Sequence, residues 1–251
     1  MNNTFCHRLI LSVCFGVFML PVPDRLEGAT FTVTTANISG PGSLPVAIAL
    51  ANATPGRNQI KITVTNVITL GLQLPTITNS VTITGSAAVP AIISGGGILP
   101  LFTFAAGTTN SLSNLVLANG YTTGSGAAIS NAGILSVSSC VITNNSATRG
   151  SGGAIINNGS MAVVSSMISG DSASSGGAIY NSSTLTIANS RVGDNQAGIG
   201  GAIFSSGVLQ ISYSSFSNSV ATNGLGGGIY SSSILAINAS TFVTNGASGA
   251  N

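Results

Sequence analysis

The chain has 251 residues, only ten of them Asp, Glu, Lys or Arg, and a formal net charge of +2. Four of the ten (Arg8, Asp24, Arg25, Glu27) and the only histidine, His7, lie in the first 27 residues, leaving Arg57, Lys61, Arg149, Arg191, Asp171 and Asp194. That composition excludes from the rest of the chain a Ser-His-Asp triad, a His-ligated metal, a Glu acid/base pair and nucleic-acid binding through a basic surface.

Residues 1–29 read as a secretory signal. Arg8 precedes an uncharged stretch from Leu9 to Pro23, and small residues, Gly28 and Ala29, close the segment. The run is too short for a comfortable transmembrane helix, although an uncleaved anchor is the alternative. Secretion or display at the cell surface is therefore expected. No later apolar run approaches the ~18 residues of a spanning helix, so no membrane-spanning segment is expected after the signal. The mean hydropathy of +0.54 instead reflects many short buried strands. Cys6 and Cys14 belong to the signal, which leaves Cys140 without an intrachain partner.

Residues 30–125 read as an N-terminal cap followed by irregular coils. Strands are expected at 31–35, 60–64, 67–70, 80–84, 91–94, 101–104 and 111–117, where apolar residues alternate between turn residues. The segment 42–52 reads as a short helix: Ser43 can cap it, Pro45 sits in its first turn, and Ala and Leu favour it. Such a helix would plug one end of a solenoid whose strand edges would otherwise invite pairing.

Residues 126–251 are regular repeats. Ile129, Ile155, Ile179, Ile203 and Ile229 are spaced 26, 24, 24 and 26 apart, each after a Gly/Ala-rich triplet and each followed 18 residues later by Ala147, Ala173, Ala197, Ala221 or Ala247. Between these marks run apolar columns, Leu135 with Met161, Leu185, Leu209 and Leu235, and Val137 with Val163, Ile187, Ile211 and Ile237. Cys140 stands in a column otherwise filled by Ser166, Ser190, Ser214 and Ser240, and reads as a small buried residue. A polar column holds Asn145, Asp171, Asn195, Ser219 and Asn245. Apolar steps of two broken by turn residues indicate three short strands per coil of about 24 residues, an all-β right-handed parallel β-helix with an N-terminal capping helix. Recurrent Asn can pair its amide coil to coil, and glycines supply positive φ at the corners. The spacing between each Ala and the next Ile is eight, six, six and eight residues, which places tolerant loops at 148–154 and 222–228. The sequence stops at Asn251 where another Gly-Gly-Ala-Ile would begin, so the expectation is either a fragment of a longer solenoid or a last coil left open.

The repeats resemble those of polymorphic outer-membrane proteins, a group of secreted bacterial right-handed β-helix proteins carrying Gly-Gly-Ala-Ile and Phe-x-x-Asn. The first motif stands at Gly152 to Ile155, Gly176 to Ile179 and Gly200 to Ile203, and the second at Phe242 to Asn245. The units at Ile142, Ile168 and Val192 keep only the pattern of the second motif, and Phe216 to Ser219 loses the Asn. The head is similar to that of such proteins in Ser39-Gly40-Pro41-Gly42-Ser43-Leu44 and Val81-Thr82-Ile83-Thr84-Gly85, with Pro45 where a basic residue is usual. The resemblance implies export, surface or outer-membrane display and adhesion, with glycans or surface proteins as partners and no cofactor. Self-association edge to edge is compatible with a solenoid.

Two further classes deserve weight. Other β-helix families are polysaccharide lyases or hydrolases, and hydrolysis needs convergent carboxylates. Asp171 and Asp194 are the only acids after Glu27, and they fall at neighbouring positions in consecutive turns. Both also suit ordinary turns, and two carboxylates make a poor calcium cage, so a non-enzymatic module is the expectation. The candidate binding feature is the column after the repeat isoleucines, Tyr180, Phe204 and Tyr230, which alternation turns outward as a stripe of rings for sugars or an apolar partner. The same stripe could simply stabilise its sheet. Ice or crystal-surface binding is a minor alternative from Thr63-Val64-Thr65, Thr76-Ile77-Thr78 and Thr82-Ile83-Thr84, which do not share one register and are not continued by the later repeats.

Overall fold

The computed structural model describes residues 27–249, so the expected signal at 1–29 lies almost wholly outside the described residues. The chain is a right-handed parallel β-helix of about nine turns, every named strand pair being parallel. A regular coil carries four strands rather than the three expected, for example Ile129–Asn131, Ile134–Ser138, Val141–Thr143 and Ser146–Ser151. Stacking coil on coil builds four sheets, here numbered I to IV in that order, of six, nine, eight and six strands.

The fourth strand arises at a corner that the alternation pattern hides. The stretch expected as one strand at 111–117 is two, Thr109–Ser113 and Leu115–Ala118, broken by Asn114 at φ +55°. The same left-handed corner recurs in every coil at Ser139, Ser165, Asn189, Tyr213 and Ala239. A second corner of that kind runs through Asn119, Asn144, Gly170, Asp194, Asn218 and Thr244. Glycine was expected to supply the positive φ, but it does so mainly at the third corner, where Gly152, Gly176 and Gly200 have φ +65°, +63° and +64°. At the other two corners Asn and Asp, whose short polar side chains tolerate that region, take six positions, and Ser139, Ser165, Tyr213, Ala239, Thr244 and Gly170 take the rest.

The apolar columns fill the interior. Ile155, Ile179 and Ile203 pair in register, as do Met161, Leu185 and Leu209, and all six are buried. Three polar ladders run beside them. Asn131 Nδ2 donates to Asn157 Oδ1 and Asn157 Nδ2 to Asn181 Oδ1, both at 2.8 Å, and Asn181 ends the ladder on Ser205 Oγ at 3.0 Å. In the Cys140 column the backbone N–H of each coil donates to the Oγ of the next: Cys140 to Ser166, Ser166 to Ser190, Ser190 to Ser214, Ser214 to Ser240. The Asn145 column does the same with mixed side-chain oxygens: Asn145 N donates to the Asp171 carboxyl, Asp171 N to Asn195 Oδ1 at 3.0 Å, Asn195 N to Ser219 Oγ and Ser219 N to Asn245 Oδ1. These bonds satisfy the corner amides that sheet pairing leaves over.

The N-terminal end is closed as expected. Strand β1 (Glu27–Val33) is followed by helix α1 (Leu44–Ala53) and then β2 (Arg57–Ile62), which pairs with β1. The helix buries Leu44, Ala47, Ile48 and Ala51 in the common core. Asn58 Nδ2 reaches the carbonyls of Ala51 and Thr54 at 2.8 and 2.7 Å, satisfying acceptors that the helix end leaves free. Ser43 holds the N-cap position without capping, since its hydroxyl donates back to the Gly40 carbonyl at 2.7 Å. Two-residue insertions are absorbed in sheet IV: the pairs Ala147–Ala173 and Ser151–Ser175 bracket a bulge that holds Thr148, Arg149 and Gly150. Among the described residues no helix is long and apolar enough to cross a membrane.

Candidate functional site

The broadest regular surface is the outer face of sheet II. Its strands alternate, as in Ile134–Ser138 where Leu135 and Val137 point inward and Ile134, Ser136 and Ser138 outward, so each outward position becomes a row along the helix axis. One row runs Gln59, Thr82, Ser111, Ser136, Ala162, Thr186, Gln210, and its neighbour runs Lys61, Thr84, Ser113, Ser138, Val164, Ala188. Ser111 Oγ donates to Thr82 Oγ1 at 3.1 Å and Ser113 Oγ to Thr84 Oγ1 at 3.0 Å. The rows floor a shallow trough of about 310 Å³ that includes Thr82, Ser111, Ser136 and Thr186, with Arg57 at one end and Ile134, 55% exposed, at its side.

This surface was only partly visible beforehand. As expected, no later unit repeats the Thr-x-Thr of Thr82-Ile83-Thr84, but the register sets Ser111-Leu112-Ser113 and Ser136-Val137-Ser138 on it, which the sequence reading does not anticipate. The spacing from 82 to 111 differs from that of the regular repeats, and Ser replaces Thr, so repeat alignment missed the register. The other two Thr-x-Thr segments lie elsewhere: Ile77 bridges to Phe104 of sheet I, and Thr63 follows β2 and hydrogen-bonds to Val33.

Tyr180, Phe204 and Tyr230 do come together. They occupy the outward position of sheet I, pair in register, and stack with centroids 5.0 and 5.1 Å apart and interplanar angles of 2° and 24°. All three are half-buried. Because the rings lie face to face, they turn edges outward, together with the two phenol hydroxyls.

Asp171 and Asp194 do not converge. Asp171 is 1% exposed within the Asn145 ladder, its Oδ1 accepting from Asn145 N at 2.7 Å and Asn145 Nδ2 at 3.0 Å. Its Oδ2 is buried with no hydrogen-bond partner. Asn145, Asn195 and Asn245 use the equivalent Nδ2 to donate to the carbonyls of Leu117, Ile168 and Phe216. Burial therefore pushes the Asp171 carboxyl well above the usual carboxylate range, with the Asn145 hydrogen bonds opposing. Asp194 sits outside, exposed at a corner. Cys140 is sealed in its ladder, its Sγ 3.3 Å from the Ser138 carbonyl, and burial raises the thiol to about 11.

The chain is a parallel β-helix with a partly hydroxyl-lined outer trough that Arg57 closes at one end, and comparison with solved structures agrees on the fold. Pectate lyase Pel9A aligns with 13% identity and a TM-score of 0.50 over 88% of this chain and 78% of its own. Jun a 1, the major allergen from cedar pollen, aligns with 12% identity and a TM-score of 0.51 over 89% of this chain and 80% of its own. No family model matches the chain, and no curated protein sequence matches it. The expectation of a non-enzymatic module is corrected by the fold comparison: Pel9A, a pectate lyase, is built on this same architecture, so the architecture does not set the chain apart from enzymes.

Proposed function

We propose that the chain is an exported polysaccharide-binding β-helix, displayed at or released from a bacterial cell surface. The observation that carries this reading is the sheet II trough, where the hydroxyl pairs Thr82 and Thr84, Ser111 and Ser113, and Ser136 and Ser138 stack over three consecutive coils at the strand spacing of about 4.8 Å. A repeating, hydrogen-bonding surface with Arg57 and Lys61 at one end suits a repeating polyhydroxylated ligand better than it suits a protein, whose interfaces centre on desolvated anchors. The resemblance of the Gly-Gly-Ala-Ile units to secreted bacterial repeats supports export and surface display. The stripe of Tyr180, Phe204 and Tyr230 is a second, lesser contact surface in this reading, working through ring edges and hydroxyls.

Binding of a glycan panel by the purified chain tests the reading. Ser111→Val with Ser136→Val, at outward strand positions where a β-branched residue fits, is expected to keep the melting temperature and to weaken the bound glycan about tenfold, as lost hydroxyl contacts predict. Tyr180→Ser with Tyr230→Ser is expected to weaken it less. Retention of wild-type affinity by both double variants would sink the assignment. Cleavage of a bound polysaccharide is a second reading, favoured by the fold shared with Pel9A. The same panel, incubated with calcium and scored for new chain ends, distinguishes the two.

A further inference from the structure

The sequence holds four Asn-Gly pairs, at 119–120, 158–159, 223–224 and 245–246. Asparagine ahead of glycine carries a latent reaction, because without a Cβ on the second residue its backbone nitrogen can close on the carboxamide carbon of the first. The reaction needs a carboxamide free to turn, a backbone N–H free to lose its proton, and water at hand. The fold treats the four pairs differently.

Three are tied down. Gly120 is buried and its N–H donates to Asn145 Oδ1 at 2.8 Å. Asn245 Nδ2 donates to the Phe216 carbonyl at 2.9 Å, its Oδ1 accepts from the Ser219 N–H at 3.1 Å, and the Gly246 N–H donates to the Ser219 carbonyl. Asn158 is exposed, yet its Oδ1 accepts from Ser182 Oγ at 2.7 Å and the Gly159 N–H donates to Asn157 Oδ1 at 3.3 Å.

The fourth pair sits in a bulge. Strand Val220–Leu225 pairs with the preceding coil at Ala221–Ala197 and Leu225–Ile199, so Thr222, Asn223 and Gly224 stand opposite Gly198 alone. All three are exposed. Thr222 Oγ1 donates to the Ala197 carbonyl at 3.3 Å, whereas the Asn223 carboxamide has no hydrogen-bond partner among the described residues. Gly198 leaves room for that carboxamide, since a Cβ there would stand 2.9 Å from Asn223 Nδ2. Gly224 holds φ +79°, which glycine adopts without strain.

We propose that Asn223-Gly224 is a deamidation site, at which the chain changes its own surface charge with time and without an enzyme. The Gly224 nitrogen gives its proton to water and bonds to Asn223 Cγ, the Cγ–Nδ2 bond breaks, and that nitrogen leaves as ammonia. Water then opens the five-membered imide at either carbonyl, to an aspartyl residue or to a β-aspartyl linkage that lengthens the backbone by a single carbon. No electron is transferred. The bulge accommodates the extra atom, because it already holds surplus residues and its bracketing pairs need not move. Residues 195–251 contain no Asp, Glu, Lys or Arg, so the new carboxylate is the only ionised group between Asp194 and the C-terminus at neutral pH.

The test holds the full chain at mildly alkaline pH and samples it over time by isoelectric focusing and by peptide mapping with a methyltransferase specific for β-aspartyl residues. An acidic form is expected to accumulate, with the change confined to the peptide containing residue 223 and the melting temperature kept. The other three pairs are expected to react at least about tenfold more slowly, because each must first give up the hydrogen bonds that hold it, and to catch up when the chain is unfolded in urea. Asn223→Gln should remove the acidic form, and Asn158→Gln, at a position that is also exposed, should leave it. Equal rates at Asn158 and Asn223 in the folded chain would overturn the assignment, as would an acidic form that survives Asn223→Gln. A modified chain that melts well below the unmodified one would overturn the tolerance of the bulge.

Discussion

Asp171 shows how one atom changes the behaviour of an otherwise uniform ladder. At this rung an amide would donate from its Nδ2, as Asn145, Asn195 and Asn245 do, yet Asp171 offers an oxygen that nothing meets. Its folded pKa is raised above the unfolded value. The associated stability is therefore fully present below the unfolded carboxylate pKa and is lost as pH rises through the folded one. Asp171→Asn is expected to stabilise the chain by about 1–3 kcal/mol at neutral and alkaline pH. Melting curves across pH should show the gain shrinking toward acid, and a pH-independent difference would contradict the account. Gly176→Ala is expected to do the opposite. At φ +63° a Cβ there runs into the Ile179 carbonyl, and the loss should reach at least about 2 kcal/mol by denaturant unfolding. Cys140, held at about 11, is expected to resist thiol reagents at pH 8 until the chain unfolds, whereas Cys140→Ser completes the serine ladder with little change in melting temperature.

At the scale of elements, what the sequence revealed depends on whether a residue type has one physical role. The isoleucine, leucine and valine columns were readable because only burial explains them, and all of them pair in register. The bulge was readable too, since a coil two residues longer must put the surplus somewhere. The corners were not. Asn114 and Ser139 look like ordinary strand or turn residues, and nothing in their identity announces a left-handed bend that splits one strand into two. The candidate site divides similarly. Alternation turns Tyr180, Phe204 and Tyr230 outward and one ring per coil stacks them, and both features are found; what the sequence does not show is that the stacking hides the ring faces. Hydroxyl rows drawn from Thr and Ser in the irregular coils needed the register itself. Deleting Thr148 and Arg149 should convert that coil to the length of its neighbour, because Ala147 and Ser151 keep their partners. A variant that still gives one cooperative transition within a few degrees of wild type would bear this out, and an unfolded one would not.

The stack of described coils has two unlike ends. Helix α1 seals the first coil, whereas the last described coil leaves inward-pointing side chains uncovered, with Leu235 40%, Ile237 46% and Phe242 40% exposed. In a stack where each coil touches only its neighbours, stability is a sum of coil and interface terms, and the coil with one interface opens first. Amide hydrogen exchange should therefore be fastest for 229–247 and slowest for the coils around 155–205. Uniform protection along the axis would show instead that the solenoid opens as a single unit.

The identical register of successive coils also bears on how such a chain changes over generations. The Asn157 to Asn181 rung spans 24 residues, and the units it joins present the same donors, acceptors and apolar columns to either neighbour. An in-frame duplication of one unit would slide into the stack without asking any other residue to adapt. Outer rows would grow longer by one step, so reach along a ligand can be lengthened by gene recombination alone, while the identity of each outward side chain is free to drift by point mutation.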